Sequence, residues 1–315
     1  FGGLGTNPHW PVPRNPWDAS CHRVPGGSSG GAGVSLAEGS ARVALGTDTA
    51  GSVRVPASFT GQVGVKTSPG RWSTAGVVPL SPALDTVGLL ARCARDARAA
   101  FAALDGEPPA EPAVRQDLGG VRVGLLEGLV WDELDPGIGE AVERALAEIE
   151  RAGARVESLP LPAARQALDL FLEGGPVAAE LAAFLEQDLP GRRDELDPNV
   201  EARIAASDRL TAVEYLGRLR RLTRLRAAAA EQAGDVDAVA TPTVAITPPP
   251  VAEVSDPRSY ARKNVLSLKN TSLFSYMGWC AVSVPVGLDR EGMPVGLQLA
   301  APDMFGQRKF QGPIL

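Results

Sequence analysis

Pro25-Gly-Gly-Ser-Ser-Gly-Gly31 is followed along the chain by a second glycine-rich loop with a serine, Gly46-Thr-Asp-Thr-Ala-Gly-Ser52. The segment between them, residues 32–45, has room for one short helix and one strand, so both loops should return to the same end of a sheet. Glycine lets a backbone approach a ligand closely, and consecutive N–H groups in such a loop bind an anion. The two loops therefore predict a serine nucleophile beside an oxyanion hole.

Two other interpretations of the first loop have to be considered. Gly26-Gly-Ser28-Ser-Gly30 matches the G-x-S-x-G nucleophile elbow of α/β-hydrolases, in which the acid and the histidine follow the serine. The chain has two histidines, His9 and His22, and both precede Ser28, so this arrangement is excluded. A flexible Gly/Ser linker is disfavoured because apolar, strand-like segments flank both loops. A serine hydrolase without a suitable histidine needs another base, and lysine is the usual one.

The cysteines and the overall charge exclude several classes of function. Cys21, Cys93 and Cys280 are scattered and show no metal-ligand spacing, so we expect no metal and no cofactor. The lack of a disulfide framework is typical of a reducing compartment and predicts a cytoplasmic protein. With 31 Lys and Arg against 37 Asp and Glu, the net charge is −6, and nucleic acid is not an expected partner. No apolar run reaches about 18 residues, so no membrane span is expected.

Four segments resemble the amidase signature family in sequence order and spacing. They are Gly26-Gly-Ser-Ser-Gly-Gly31, Gly46-Thr-Asp-Thr-Ala-Gly-Ser52, Gly61-Gln-Val-Gly-Val-Lys66-Thr67 and Val77-Val-Pro-Leu-Ser-Pro-Ala-Leu-Asp-Thr-Val-Gly88. Members of this family hydrolyse or transfer the acyl group of amides with a Ser, cis-Ser, Lys triad. The resemblance implies an α/β fold with a large mixed central sheet sandwiched between helices. It also implies a single domain over residues 1–315 and a small-molecule amide, in linear form, as substrate.

The resemblance assigns roles to individual residues of the two loops. It implies that Ser52 is the nucleophile and that Ser28, after a cis peptide bond from Gly27, is the bridging serine within hydrogen-bond reach of Ser52 Oγ. The remaining positions are an oxyanion hole made of backbone N–H groups and three supporting side chains. The oxyanion hole would be formed by Thr49, Ala50, Gly51 and Ser52, and the supporting side chains would be Ser29, Asp48 and Arg54.

The lysine of the triad has no counterpart among these residues. In the family it lies well upstream of the bridging serine, and no lysine precedes Ser28 here. We therefore expect a chain that is incomplete at its N-terminus, and also at its C-terminus, where residues 303–315 do not resemble the family. The 315 residues alone should be inactive or strongly impaired as an amidase. Lys66 matches a different family position and is expected to be structural.

The rest of the chain suggests how the site is covered. Residues 121–159 read as strand, helix, strand, which predicts a parallel unit, and residues 281–299 resemble a closing strand pair. Residues 163–233 are helical throughout and are expected to set specificity. A basic face in this region indicates either an anionic partner or a solvated surface, and consists of Arg218, Arg220, Arg221, Arg224 and Arg226.

An amidase is thus the favoured function, but two alternatives stay open. One is a glutaminase that serves as a component of a tRNA-dependent amidotransferase, and the other is a non-catalytic fragment or binding module. A homodimer is also left open.

Overall fold

The chain was analysed as a computed structural model that describes residues 1–106 and 117–302. Its strands are β1 (Val43–Asp48), β2 (Val63–Lys66), β3 (Thr86–Ala91), β4 (Arg122–Leu126), β5 (Arg155–Leu159), β6 (Ala238–Pro242), β7 (Cys280–Leu288) and β8 (Pro294–Ala301). Its α-helices are α1 (Gly30–Glu38), α2 (Arg54–Phe59), α3 (Ala94–Leu104), α4 (Ile138–Arg151), α5 (Pro162–Leu172), α6 (Val177–Asp188), α7 (Pro198–Ala205), α8 (Ala212–Gln232) and α9 (Pro257–Tyr276). The predicted C-terminal truncation falls on residues 303–315, outside the described residues.

The strands form one mixed sheet in the order β1-β3-β2-β7-β8-β6-β4-β5. β4 runs parallel to both β5 and β6, and the other neighbouring strands pair antiparallel. α4 connects β4 to β5, so the parallel unit predicted over residues 121–159 is confirmed. The closing pair is confirmed as the β7–β8 hairpin. The α/β fold with a large mixed sheet, which the family resemblance implied, is therefore confirmed.

Helices cover both faces of this sheet. Neighbouring residues on a strand point to opposite sides, so one strand can pack against helices on both faces. In β3, Leu89 packs with residues of α3, whereas Leu90 packs with residues of α1 and α2. In β6, Ala240 packs with α4, whereas Val239 packs with α5, α8 and α9. β3 and β6 therefore each contribute apolar side chains to two cores, one on each side of the sheet.

Helix α9 was not predicted from the sequence. All nine residues from Leu268 to Tyr276 are buried, so the helix shows no apolar stripe opposite a polar one, which is the usual helix signal. The available signal was at its start, where Pro257 is the first helical residue and the Asp256 side chain accepts a hydrogen bond from Ser259 N–H at 2.8 Å. This buried helix packs against the end of the sheet that carries the serine loops.

Helices α5 to α8 occupy residues 162–232, and α8 begins with a capping box. Thr211 Oγ1 accepts from Glu214 N–H at 3.2 Å, and the Glu214 carboxylate accepts from Thr211 N–H at 2.8 Å. In the part of the chain that is described, no helix is both long and apolar enough to cross a membrane.

Candidate active site

The two serine loops meet at one end of the sheet. The first loop ends where α1 begins, at Gly30, and the second connects β1 to α2. Ser29 N–H donates to Ser52 C=O at 3.1 Å, which joins the loops through their backbones. The Gly27–Ser28 peptide bond is cis. Ser28 is exposed and Ser52 is 7% exposed, so the bridging candidate lies nearer to solvent than the nucleophile candidate.

No hydrogen bond joins the two hydroxyls. Within residues 1–106 and 117–302, neither Ser28 Oγ nor Ser52 Oγ takes part in a hydrogen bond, and their expected catalytic contact stays a prediction. A serine hydroxyl can change rotamer about a single bond, whereas the backbone contact between Ser29 and Ser52 is fixed by the fold. The structure thus brings the two loops together without a hydrogen bond between Ser28 and Ser52.

The first loop is braced by the N-terminal residues. Gly27 N–H donates to Gly3 C=O at 2.9 Å, and a Cβ atom on Gly27 would collide with Gly2 O and Gly5 N. Glycine is therefore required at this position, because two backbones pass each other at a distance that leaves no space for a side chain. Gly3 N–H in turn donates to the Asn264 side chain of α9 at 2.7 Å.

The second loop presents a run of amides with no acceptor. Asp48 Oδ2 accepts from the N–H groups of Val53 and Arg54, at 3.2 and 3.4 Å. The four amides before them donate no hydrogen bond in the described ranges, although this stretch is almost entirely buried. They belong to Thr49, Ala50, Gly51 and Ser52. Such a run of free donors can stabilise an oxyanion.

Two side chains that sequence reasoning missed hold this loop in place. Thr271 Oγ1 of α9 donates to Ala50 C=O at 2.6 Å, and Thr49 Oγ1 donates to Asp85 Oδ1 at 2.5 Å. Asp85 lies in the family-like segment 77–88, so a signal for it existed. Thr271 lies in the buried second half of α9 and had no such signal. Gly51 has φ of 145°, and a Cβ atom there would collide with Thr271 Oγ1.

Asp48 and Arg54 form an ion pair that is fully buried, with both side chains 0% exposed. The Arg54 guanidinium donates to Asp48 at 2.8 and 2.9 Å and reaches three further acceptors. They are Thr271 O, Gln298 Oε1 and Ser275 Oγ. Burial acts to raise the pKa of Asp48, but the Arg54 charge outweighs it and holds that pKa below its usual value. The carboxylate is therefore ionised, and it caps the start of α2 directly behind Ser52.

Lys66 is buried at the end of β2 and hydrogen-bonds to backbone only. Its Nζ donates to Thr67 O at 3.0 Å and to Trp279 O at 2.9 Å. Burial, together with the nearby Arg54 charge, lowers the pKa of Lys66 to about 7. No hydrogen bond links it to Ser28 or Ser52 in the described ranges.

The histidines lie apart from the serine loops. His9 Nε2 is 2.7 Å from Glu195 O, and His22 Nε2 is 3.1 Å from Val12 O. Among the residues that the structure describes, no three His, Cys, Asp or Glu side chains are grouped so that they could hold a metal ion. The chemistry that this site can support is therefore that of a serine with backbone donors beside it.

Comparison with known proteins now identifies the family. The family model described as Amidase matches residues 1–305. The chain belongs to the amidase family. This amidase chain is 52% identical over 305 residues to a 2-amino-5-chloromuconic acid deaminase of Comamonas testosteroni, with 96% of the chain and 66% of that protein covered. It is 34% identical over 338 residues to the A component of the glutamyl-tRNA(Gln) amidotransferase of Symbiobacterium thermophilum, with 95% and 67% covered.

A solved structure of 6-aminohexanoate cyclic dimer hydrolase, complexed with substrate, has the same fold. It superposes with a TM-score of 0.80 at 27% identity and covers 95% of this chain and 69% of that one. The amidase chain thus spans about two thirds of the length of these relatives.

The buried ion pair gives a test of what anchors the loop that ends at Ser52. Arg54→Met leaves the Asp48 carboxylate buried without its partner, and we expect the free energy of unfolding in urea to fall by about 3–5 kcal/mol. Arg262→Met breaks an exposed pair with Glu133 and should cost less than about 1 kcal/mol. The double variant Asp48→Asn/Arg54→Met should recover part of the loss. Equal losses in the single and double variants would show that the unpaired charge is not the cause.

The lowered pKa of Lys66 predicts that the stability of the protein depends on pH. Its folded pKa of about 7 lies below the ordinary 10.5, so unfolding takes up a proton between these pH values. The free energy of unfolding should therefore rise as the pH increases through this window, by up to about 1.4 kcal/mol per pH unit. Lys66→Met removes this contribution. Urea titrations of both proteins at about pH 6.5, 8 and 9.5 test it, and a difference between them that stays constant with pH would contradict the prediction.

Proposed function

We propose that this protein is an amidohydrolase in which Ser52 attacks the carbonyl carbon of a carboxylic amide. The observation that carries the proposal is the run of four amides from Thr49 to Ser52 that donate to no acceptor in the described ranges. A tetrahedral intermediate needs donors of this kind where its oxyanion develops. Membership of the amidase family supports the same reaction.

The reaction proceeds in two halves. Ser52 Oγ bonds to the carbonyl carbon, and the carbonyl electron pair moves onto the oxygen, where the loop amides hold the charge. The carbonyl then re-forms, the C–N bond breaks and the amine leaves with a proton. Water hydrolyses the Ser52 ester and releases the carboxylic acid. Ser28, whose loop is bonded to the Ser52 backbone, passes the Ser52 proton to a neutral base and returns it to the leaving amine.

We assign the base to a lysine outside the 315 residues. Lys66 has a suitably low pKa, but its Nζ is directed at two backbone carbonyls and is not hydrogen-bonded to either serine in the described part of the chain. A base has to lie within hydrogen-bond reach of the proton that it accepts, directly or through one water.

A second candidate is hydrolytic deamination of an amino-substituted muconic acid. It is favoured by the 52% identity to the Comamonas testosteroni deaminase, against 34% to the amidotransferase component. A role within an amidotransferase has less support, since the net charge of −6 does not favour binding to tRNA. The cytoplasmic location, the homodimer and the role of residues 163–233 in specificity stay predictions.

We expect that Ser52 is the residue acylated during turnover. In the protein expressed from its whole gene, Ser52→Ala should reduce amide hydrolysis by about 10⁴-fold or more, because the nucleophile is lost. A fluorophosphonate probe followed by peptide mapping should label Ser52 in the wild type. Ser40→Ala changes an exposed serine after α1 and should leave both results unchanged. Labelling of only Ser28 or Ser29 would contradict the assignment.

The proposed location of the catalytic base, outside the 315 residues, gives a second test. The 315 residues alone should hydrolyse amides at least about a hundredfold more slowly than a chain extended upstream, because a general base contributes at least that much. Ammonia or amine release is measured for aryl amides, a cyclic amide, glutamine and an amino-substituted muconic acid. Turnover of the muconic acid alone would favour deamination. Equal turnover by the short and extended chains would place the base within these residues, with Lys66 the first candidate.

A further inference from the structure

The side chain of Asp85 joins two loops and has no part in the reaction proposed above. Asp85 immediately precedes β3, and its carboxylate accepts three hydrogen bonds. Oδ1 accepts from Thr49 Oγ1 at 2.5 Å, and Oδ2 accepts from the N–H groups of Leu80 and Ser81, both at 2.9 Å. A hydrogen bond to an ionised acceptor is shorter and roughly twice as strong as a neutral one. One carboxylate thus fixes both the turn at residues 80–81 and the first residue of the amide run.

We propose that Asp85 is a positioning residue, which orients the amides of the oxyanion loop through Thr49, and that Glu180 anchors it to the helices of residues 163–233. The inference rests on the proposed function, in which those amides bind the oxyanion. Donors in such a site have to be held within about 0.5 Å of the productive geometry.

Side-chain hydrogen bonds hold the first two residues of the amide run and the residue just before it. Thr49, 3% exposed, is held by Asp85, and the next residue, Ala50, is held by Thr271 of α9. Thr86, the residue after Asp85, donates through Oγ1 to Asp48 C=O at 2.8 Å, just before the run begins. Loss of the Asp85 carboxylate would release Thr49, which leads the four donors, while the other two contacts stay.

Glu180 of α6 extends this set of contacts away from the site. Its carboxylate accepts from Ser81 Oγ, from Ala83 N–H at 3.3 Å and from Tyr215 OH of α8 at 2.8 Å. Burial and the hydrogen bond to Glu180 raise the pKa of Tyr215 to about 12, so its hydroxyl keeps the proton that it donates. Ser81 is one of the two residues whose N–H groups bind Asp85. Two helices of the region predicted to set specificity are therefore linked to Asp85 through Ser81, which bonds to Glu180 through its side chain and to Asp85 through its N–H group.

The test compares Asp85→Asn and Thr49→Val in the protein expressed from its whole gene. Both should lower kcat by about 10- to 100-fold, because mispositioned oxyanion donors weaken binding in the transition state. KM should change by less than about threefold, since donors of this kind bind the charge that develops in the transition state more strongly than the neutral carbonyl of the substrate. Thr49→Ser keeps the hydroxyl and should restore kcat to within about threefold of the wild type.

The chain supplies a matched control in Asp289. Its carboxylate also accepts one threonine hydroxyl and two backbone amides, from Thr247 Oγ1 at 2.6 Å and from Glu291 and Met293 N–H at 2.9 Å. It lies in the turn of the β7–β8 hairpin. Asp289→Asn and Thr247→Val should lower the melting temperature much as the Asp85 and Thr49 variants do, and leave kcat within about twofold of the wild type. If kcat falls equally in the two sets, Asp85 is only structural and the inference is overturned.

The anchoring role of Glu180 is tested in a double-mutant cycle with Asp85. Glu180→Gln should lower kcat by a few-fold, and Asp85→Asn/Glu180→Gln should be no worse than Asp85→Asn alone, because both act on the same turn. If the two substitutions lower kcat independently, so that their effects multiply in the double variant, the link between Glu180 and Asp85 is overturned. Fluorophosphonate labelling separates the two levels of the argument. A wild type that is not labelled at Ser52 overturns the proposed function and this inference together, whereas labelled Ser52 with unaffected Asp85 variants overturns this inference alone.

Discussion

The buried Arg54 guanidinium is the interaction on which the arrangement of this end of the molecule depends. It pairs with Asp48 at the end of β1 and donates to Gln298 on β8 and to Thr271 and Ser275 on α9. A buried charge of this kind is tolerated only when its partners are in place, because the cost of removing it from water is several kcal/mol. The sheet, the buried helix and the loop that ends at Ser52 therefore cannot adopt independent positions. The amides from Thr49 to Ser52, which have no acceptor in the described residues, lie between the two members of this ion pair along the chain.

The parts of the fold that could be predicted from sequence are those with local signals. The parallel unit of β4, α4 and β5 follows from the strand, helix, strand pattern of residues 121–159, whereas the β7–β8 hairpin was predicted from the family resemblance. Helix α9 has no apolar stripe along its buried length, and only its start carries a helix signal. In the site, the loop that ends at Ser52 could be predicted from its glycines, but its contacts with Asp85 and Thr271 could not. These contacts join residues that are 36 and 221 positions apart, and no pattern along the chain records such a pairing.

The basic face of α8, for which the sequence leaves two interpretations open, is in part bonded to other segments of the chain. Arg218 donates to Gly175 C=O, Arg221 pairs with Glu173, and Arg226 donates to Ala83 C=O. Three of the five arginines on this face therefore have acceptors within the chain. These three arginines join α8 to the segments packed against it, although the sequence alone shows them only as part of a positively charged surface.

The long range of the Arg54 contacts also bears on the order in which the molecule acquires its site. Its acceptors on α9 and β8 lie 217 to 244 residues further along the chain than Arg54 itself. During synthesis from the N-terminus, both serine loops leave the ribosome long before these acceptors exist. Loop-closure entropy over such separations has to be offset before the contacts form, so this region should order late. A nascent chain would thus carry its serines in an unassembled state until β8 joins the sheet.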